Sequence, residues 1–256
     1  MASSKQRGDL QIIPVPFPDE IHEGDSIAKK LMTALKRNGL RLMSGDVLVV
    51  KHKIVSKAEG RFVALDDIRP SASSTKWAKK YNLDARVLEL ALAESKRIVR
   101  RNNGVLITET HHGFVCANSG VDVSNVDGGR HALLLPRDPD RSAALIRRAL
   151  KRMLKLGIPV IVTDTFGRPW REGITEVAIG VAGMNAIHDF RGKHDPHRYP
   201  LRVSLEAVAD ELACAAGLVC SKLERIPVCI IRGFRYQPGK GTAQDLIRSA
   251  ATDLFR

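Results

Sequence analysis

"IPVIVTDTFGRPW", residues 158–170, decides how this chain is read. Its first part, Ile158-Pro159-Val160-Ile161-Val162, is apolar without interruption. A short run of that kind is a buried strand. Thr163, Asp164 and Thr165 then bring oxygen to the strand's end, and Gly167, Arg168 and Pro169 open a loop. The reading is a strand over 158–163 with Asp164 and Thr165 just past its C-terminal end, a common place for ligand chemistry in sheet proteins. Two accounts of those residues stand side by side. One is a capping acid at a strand-to-loop junction. The other is a partial oxygen shell for magnesium or manganese, which take hard oxygen ligands and keep several waters. Arg168 and Arg171 would then face phosphate or carboxylate oxygens.

Outward from that strand, helices and strands mix without strict βαβ alternation, so the fold class is α+β. A strand over about 11–15 leads through prolines to a helix capped by Asp25, with Ile27, Leu31, Ala34 and Leu35 on one side and Gly39 at its end. "DVLVVKHKIVS" (46–56) reads as strand, 66–82 as a polar surface segment and 84–101 as helix. "GVLITET" (104–110) and "GFVCA" (113–117) read as two strands around His111-His112-Gly113, and "LLLP" (133–136) as another. Residues 140–156 form the clearest helix, with Leu145, Ile146, Ala149, Leu150, Met153 and Leu154 inward. A helix over 204–222, a strand over 227–232 and a final helix over 242–255 complete the chain. No fixed repeat or low-complexity linker divides it. The expectation is a loose tail over 1–10 and one domain over 11–256.

Composition narrows the function classes. With 256 residues, 44% hydrophobic and 27% charged, the chain is long and apolar enough for a substantial core. Its 41 basic and 28 acidic residues give +13, a field that gathers anions. The four cysteines form no CxxC pair, so zinc-ribbon and thioredoxin-like readings have no basis. The polar start MASSKQRGDL lacks a signal core, and no apolar run approaches the ~20 residues of a membrane span. The expectation is a cytoplasmic protein with no membrane partner. Aromatic content of 5% and the lack of any recognisable signature argue against nucleic acid.

A second oxygen-rich stretch is "CANSGVDVSNV" (116–126), with Ser119, Asp122, Ser124 and Asn125 around Gly120. It reads either as a hydrogen-bonded Asx turn or as hard cation ligands. Two Asp-containing loops in one basic protein favour a metal–phosphate site. Lys57, in "KHKIVSKAEG", is either a solvated strand-end lysine or a point charge on phosphate. Other signals are weak. "GFRYQPGKGT" (233–242) fails as a P-loop, because five residues separate Gly233 from Gly239 and Gly241 follows Lys240. Asp-Pro within "HDPH" (194–197) argues against a helical histidine pair.

Five blocks in order, "IVSKAEG" (54–60), "GFVCANSGVDVSNV" (113–126), "VTDTFGRPWREGITEVAIGVAGM" (162–184), "VADELACAAGLV" (208–219) and "IPVCIIRG" (226–233), together resemble the coenzyme F-420 gamma-glutamyl ligase family. The resemblance spans about 11–250. It implies an intertwined homodimer with a fold of its own, neither P-loop nor Rossmann. It implies attachment of L-glutamate to a phosphorylated deazaflavin acceptor, F-420-0, using GTP, Mg2+ or Mn2+, and in some settings K+. By position, Asp122 and Asp164 match metal-ligating acids and Thr165 a second-metal ligand. Asn125, Lys57 and His52 match nucleotide contacts, His52 replacing a small polar residue. Arg168 and Arg171 are assigned by chemistry alone, as anion-holding catalytic residues. Phe17-Pro18-Asp19 stands where the family has Gly-Leu-Pro, and Val219–Arg225 replaces a glycine-rich stretch. All three departures, His52 among them, touch nucleotide recognition. Ligation of a different acid, and anion or nucleic-acid binding without turnover, are the alternatives these departures leave open.

Overall fold

A computed structural model describes residues 9–124, 127–220 and 223–253. The chain runs β1 (Gln11–Val15), α1 (Ile27–Arg37), β2 (Val47–Lys51), α2 (His52–Ala58), β3 (Phe62–Ala64), α3 (Ala72–Tyr81), α4 (Ala85–Ala93), β4 (Ser95–Asn102), β5 (Val105–Thr110), β6 (Val115–Ala117) and β7 (His131–Leu133). It continues through α5 (Pro139–Leu154), β8 (Val160–Arg168), β9 (Arg171–Ala182), the two-residue strands β10 (His188–Asp189) and β11 (Leu205–Glu206), α6 (Val208–Gly217) and β12 (Val228–Arg232).

The main sheet has five strands in the order β1-β12-β2-β8-β9. Within it β2 and β8 pair in parallel, and the other neighbours are antiparallel. The unbroken apolar runs of β2, β8 and β12 follow from cover on both faces. Leu48, Val50, Val160, Val162, Val228 and Ile230 pack towards α1 and α5. Val47, Val49, Ile161, Cys229 and Ile231 pack towards α6. Each such side chain withdraws from water at a gain of roughly 1.5–3 kcal/mol, so both faces must be filled. A three-stranded sheet, β4-β5-β6, packs with α3 and α4 over another cluster that includes Leu65, Leu88, Ala91 and Leu106. The α+β class holds. Among the described residues no helix is long and apolar enough to cross a membrane.

Several expected boundaries move, for physical reasons. The strand read over 158–163 extends to Arg168 and folds back through β9, so Asp164 and Thr165 lie within a hairpin rather than in a loop. Beyond Val162 one face meets the cavity described below, so polar residues replace the apolar run. The segment 46–56 divides at Lys51, because Ile54, Val55 and Ser56 are buried on helix α2. Short apolar runs of this kind do not distinguish strand from helix by period. The helix read over 84–101 ends at Ala93, and the β-branched Ile98 and Val99 lie in exposed β4. The segment 66–82 contains helix α3, capped by Ser71. Ser26, not Asp25, caps α1; Asp25 instead accepts from the His22 amide and pairs with Lys30.

Strand β7 ends at Leu133, and Leu205-Glu206 form a strand ahead of α6 rather than its first turn. In place of a final helix, the described part of 242–253 holds 3-10 turns at Ala243–Leu246 and Ala250–Thr252. Helix α5 stands close to its expected limits, with Asp138 as cap and Pro139 in the first turn. Its first turn docks against the sheet. Asp140 Oδ1 accepts from Val181 N at 2.7 Å and from Ala243 N at 2.9 Å. A Cβ on Gly180 would stand 2.3 Å from the Pro139 carbonyl oxygen, so β9 reaches the helix only as glycine there.

Candidate functional site

The parallel pair sets the site. Lys51 of β2 lies in register with Thr163 of β8, so the C-terminal ends of both strands open together. Open sheets bind ligands at such ends. In the β8–β9 ladder Val162 faces Gly180 but Thr163 faces Ala178, a bulge that leaves Ile179 extra on β9. Bulges of this kind re-aim the side chains beyond them. Thr163, Asp164 and Thr165 then line a cavity of about 920 Å³ with Lys51, His52, Lys53 and Lys57. Asp122 lines the same cavity, carried in by the turn after β6. Phe17, Ile21, Phe62, Ile174 and Ile226 contribute apolar wall.

The turn before Asp122 is built by backbone geometry. Asn118, Ser119 and Gly120 all have positive φ. At Gly120 a Cβ would meet Leu135 at 2.8 Å, so glycine serves both the angle and the packing. Ser119, read as a candidate ligand, is buried away from the cavity. Its hydroxyl donates to the Ala91 carbonyl at 2.6 Å and lies 2.7 Å from Thr108 Oγ1.

Several charges in the cavity are paired. Lys53 Nζ lies 2.7 Å from Asp122 Oδ2 and donates to the Ser124 carbonyl and hydroxyl at 3.1 and 3.0 Å. Ser124 N donates to Asp122 Oδ1 at 2.6 Å, so the Asx turn is real and Asp122 still lines the cavity. Burial pushes the Asp122 carboxyl up, but the bonds from Lys53 and Ser124 outweigh it and hold it below the usual carboxylate value. Asp164 Oδ1 accepts from Thr165 N at 2.7 Å and lies 3.2 Å from His52 Nε2; His52 itself is buried on α2. Lys57 pairs with Glu20 of the N-terminal loop. Thr165 donates its hydroxyl to Glu176 Oε1 at 2.8 Å, and Lys51 pairs with the same carboxylate.

Of the residues singled out in the sequence, Asp122, Asp164, Thr165, Lys57 and His52 therefore meet around one cavity. Arg168 and Arg171 do not line it. They flank the tip of the β8–β9 hairpin, where Arg168 donates to the Glu172 carbonyl at 2.8 Å. Asn125 lies outside the described residues. The glycine-rich 233–242 segment packs on Asn185 and Ala186, and His112 lies within hydrogen-bond reach of the Pro136 and Arg137 carbonyls. Sequence reasoning missed Lys51, Lys53, Glu20 and Glu176. Lys51 and Lys53 flank a singled-out histidine, but Glu176 reaches Thr165 only through the hairpin register, which no local pattern reveals.

The donor set bears on a metal. Asp122, Asp164 and Thr165 offer hard oxygens to one space, and Thr163 Oγ1 and Glu176 Oε2 are buried with no hydrogen-bond partner among the described residues. No three His, Cys, Asp or Glu side chains converge on a single point among the described residues. Two acids and a hydroxyl suit a cation that takes its remaining ligands from water and phosphate, as magnesium does.

These features define an α+β protein whose parallel strand ends open on a cleft lined by acids and lysines. Comparison with known proteins sharpens the class. Residues 18–233 match the family model described as F420-0:Gamma-glutamyl ligase. The chain is 43% identical over 250 residues to a coenzyme F420:L-glutamate ligase of Methanothermobacter thermautotrophicus, covering 96% of this chain and 99% of that one. It is 40% identical over 252 residues to the protein of the same name in Methanopyrus kandleri, covering 96% and 98%. The corresponding protein of Methanocaldococcus jannaschii is 42% identical over 213 residues, covering 83% and 85%. The chain belongs to the F420-0:gamma-glutamyl ligase family.

Proposed function

We propose that this chain joins L-glutamate to the deazaflavin precursor F-420-0 through an amide bond, consuming a nucleoside triphosphate, GTP by family resemblance, with Mg2+ or Mn2+. The observation that carries this reading is the convergence of Asp122, Asp164, Thr165 and Lys57 on one cavity in a chain of this family. A carboxylate does not condense with an amine at neutral pH unless its oxygen is first made a leaving group. In the proposed sequence an acceptor carboxylate oxygen attacks the γ-phosphorus and the nucleoside diphosphate leaves. The glutamate nitrogen then attacks the acyl carbon, phosphate departs and the amine gives up its proton.

Lys57 would meet phosphate oxygens as a point charge by exchanging Glu20 for the ligand, and Lys53 would do so only by giving up one of its bonds to Asp122 or Ser124. Asp122, Asp164 and Thr165 would hold the divalent cation. When bound, that cation supplies charge neutralisation on the transferring phosphoryl group. The Thr165 amide, donating to Asp164 Oδ1 at 2.7 Å, fixes the pose of that carboxylate, and His52 Nε2 stands 3.2 Å from the same oxygen.

The test is product formation. With F-420-0, L-glutamate, GTP and Mg2+, mass spectrometry is expected to detect the glutamylated product, and Asp164→Asn to abolish it without loss of fold. Absence of product with both GTP and ATP would overturn the reading.

A further inference from the structure

Glu176 is a buried acid that does not line the cavity, yet it touches two residues that do. It is 7% exposed. Lys51 pairs with it from β2, and the Thr165 hydroxyl donates to it across the β8–β9 register. It rests against bare backbone, for a Cβ added at Gly217 would stand 2.8 Å from Glu176 Cγ. A threonine hydroxyl has one proton and two lone pairs. With the proton committed to Glu176, the lone pairs are the only part of that hydroxyl left for the cavity. Without Glu176 the proton is free to turn inward, where it repels a cation.

We propose that Glu176 is a positioning residue that fixes the Thr165 hydroxyl with its oxygen lone pairs toward a divalent cation, and that Lys51 and the gap at Gly217 hold Glu176 in that pose. The inference rests on the reading of Thr165 as a cation ligand. Lys51 has three donors and no acceptor, so it also dictates which oxygen of residue 176 faces it. A glutamine at 176 would therefore turn its amide oxygen, not its nitrogen, to Lys51 and Thr165. Glutamine and alanine leave the Lys51 charge equally uncompensated, so charge does not distinguish them, and the Thr165→Val background separates the lost acceptor from the lost side-chain volume.

The probe is Mn2+ itself, its free concentration counted by electron paramagnetic resonance in a titration of the nucleotide-free protein. Glu176→Ala is expected to weaken Mn2+ binding about 10-fold, as loss of an outer-shell partner does. Glu176→Gln is expected to recover most of that loss, and in a Thr165→Val background the two variants are expected to bind equally. Equal binding by Glu176→Ala and Glu176→Gln with Thr165 present would overturn the proposal. Wild-type binding by both Asp164→Asn and Thr165→Val would overturn the cation site itself, and the proposal with it. Gly217→Ala provides a second variant that deletes no polar group and whose new Cβ meets Glu176 Cγ first. It is expected to weaken Mn2+ binding by crowding Glu176, and unchanged binding would contradict the seat assigned to it.

Discussion

Asp140 ties the first turn of α5 to the strand that shapes the site, and its removal gives a sharp test of the fold. One oxygen, Oδ1, accepts from Val181 N on β9 and from Ala243 N in the turn that follows β12. Asp140→Ala would leave both amides without that acceptor. A buried donor left unpaired costs about 1–3 kcal/mol. The site is only partly buried, so we expect a loss of about 2–4 kcal/mol in all. At this chain length 1 kcal/mol moves Tm by roughly 2–4 °C, so the midpoint should fall by about 5–15 °C. Asp140→Asn keeps an acceptor oxygen in place and should stay within about 1 kcal/mol of the wild type.

The comparison also has a pH signature. Burial, the largest influence, raises the Asp140 carboxyl above its ordinary value of 3.8 despite the two amides. A folded-state value above the unfolded one means that stability is gained as pH falls through the folded value. The gain is complete below the unfolded value of about 3.9. The wild type should therefore improve relative to Asp140→Asn as pH is lowered towards that value. Urea titration at neutral and mildly acidic pH measures both effects. A loss below about 0.5 kcal/mol in Asp140→Ala, or an equal loss in Asp140→Asn, would refute the reasoning.

Gly180→Ala should cost at least about 2 kcal/mol, because its Cβ meets the Pro139 carbonyl oxygen at 2.3 Å and backbone on both sides must shift; soluble yield and Tm report it. The Cys116 thiol is pushed up to about 12, first by burial and then by the nearby Asp164 charge, so maleimide at pH 7.5 should leave it unmodified while the exposed Cys214 reacts first, as peptide mapping would show. Lys57→Met should weaken nucleotide binding about 10-fold or more with little change in Tm, since its partner Glu20 is half-exposed; calorimetry with a non-hydrolysable analogue checks it.

Much of the site was legible in the sequence because its oxygen donors are clustered locally. Asp164-Thr165 follow an apolar run, and Asp122 follows a glycine turn, so type and spacing mark both. What joins them is not local. The cavity forms because β2 and β8 pair in parallel although more than 100 residues separate them, and because a bulge shifts the β8–β9 register at Thr163. Hydrophobic period carries neither fact. The same limit explains the misread boundaries. His52–Ala58 is a helix because Ile54 and Val55 are claimed by the core, and Ser95–Asn102 is a strand because β5 offers it a ladder. Arg168 and Arg171 have the chemistry of anion ligands, but the hairpin carries them past the cavity to its tip. Lys51 and Glu176 had no motif to mark them, since each acquires its role from a neighbour on another strand.

The central claim is that a carboxyl group is activated by phosphorylation in the cavity between β2, β8 and the Asp122 turn. An F-420-0 acceptor labelled with 18O in its reacting carboxylate tests it directly, with Mg2+, GTP and L-glutamate present and the released phosphate analysed by mass spectrometry. The account predicts one labelled oxygen in phosphate for each amide formed. Amide formation with unlabelled phosphate would contradict it.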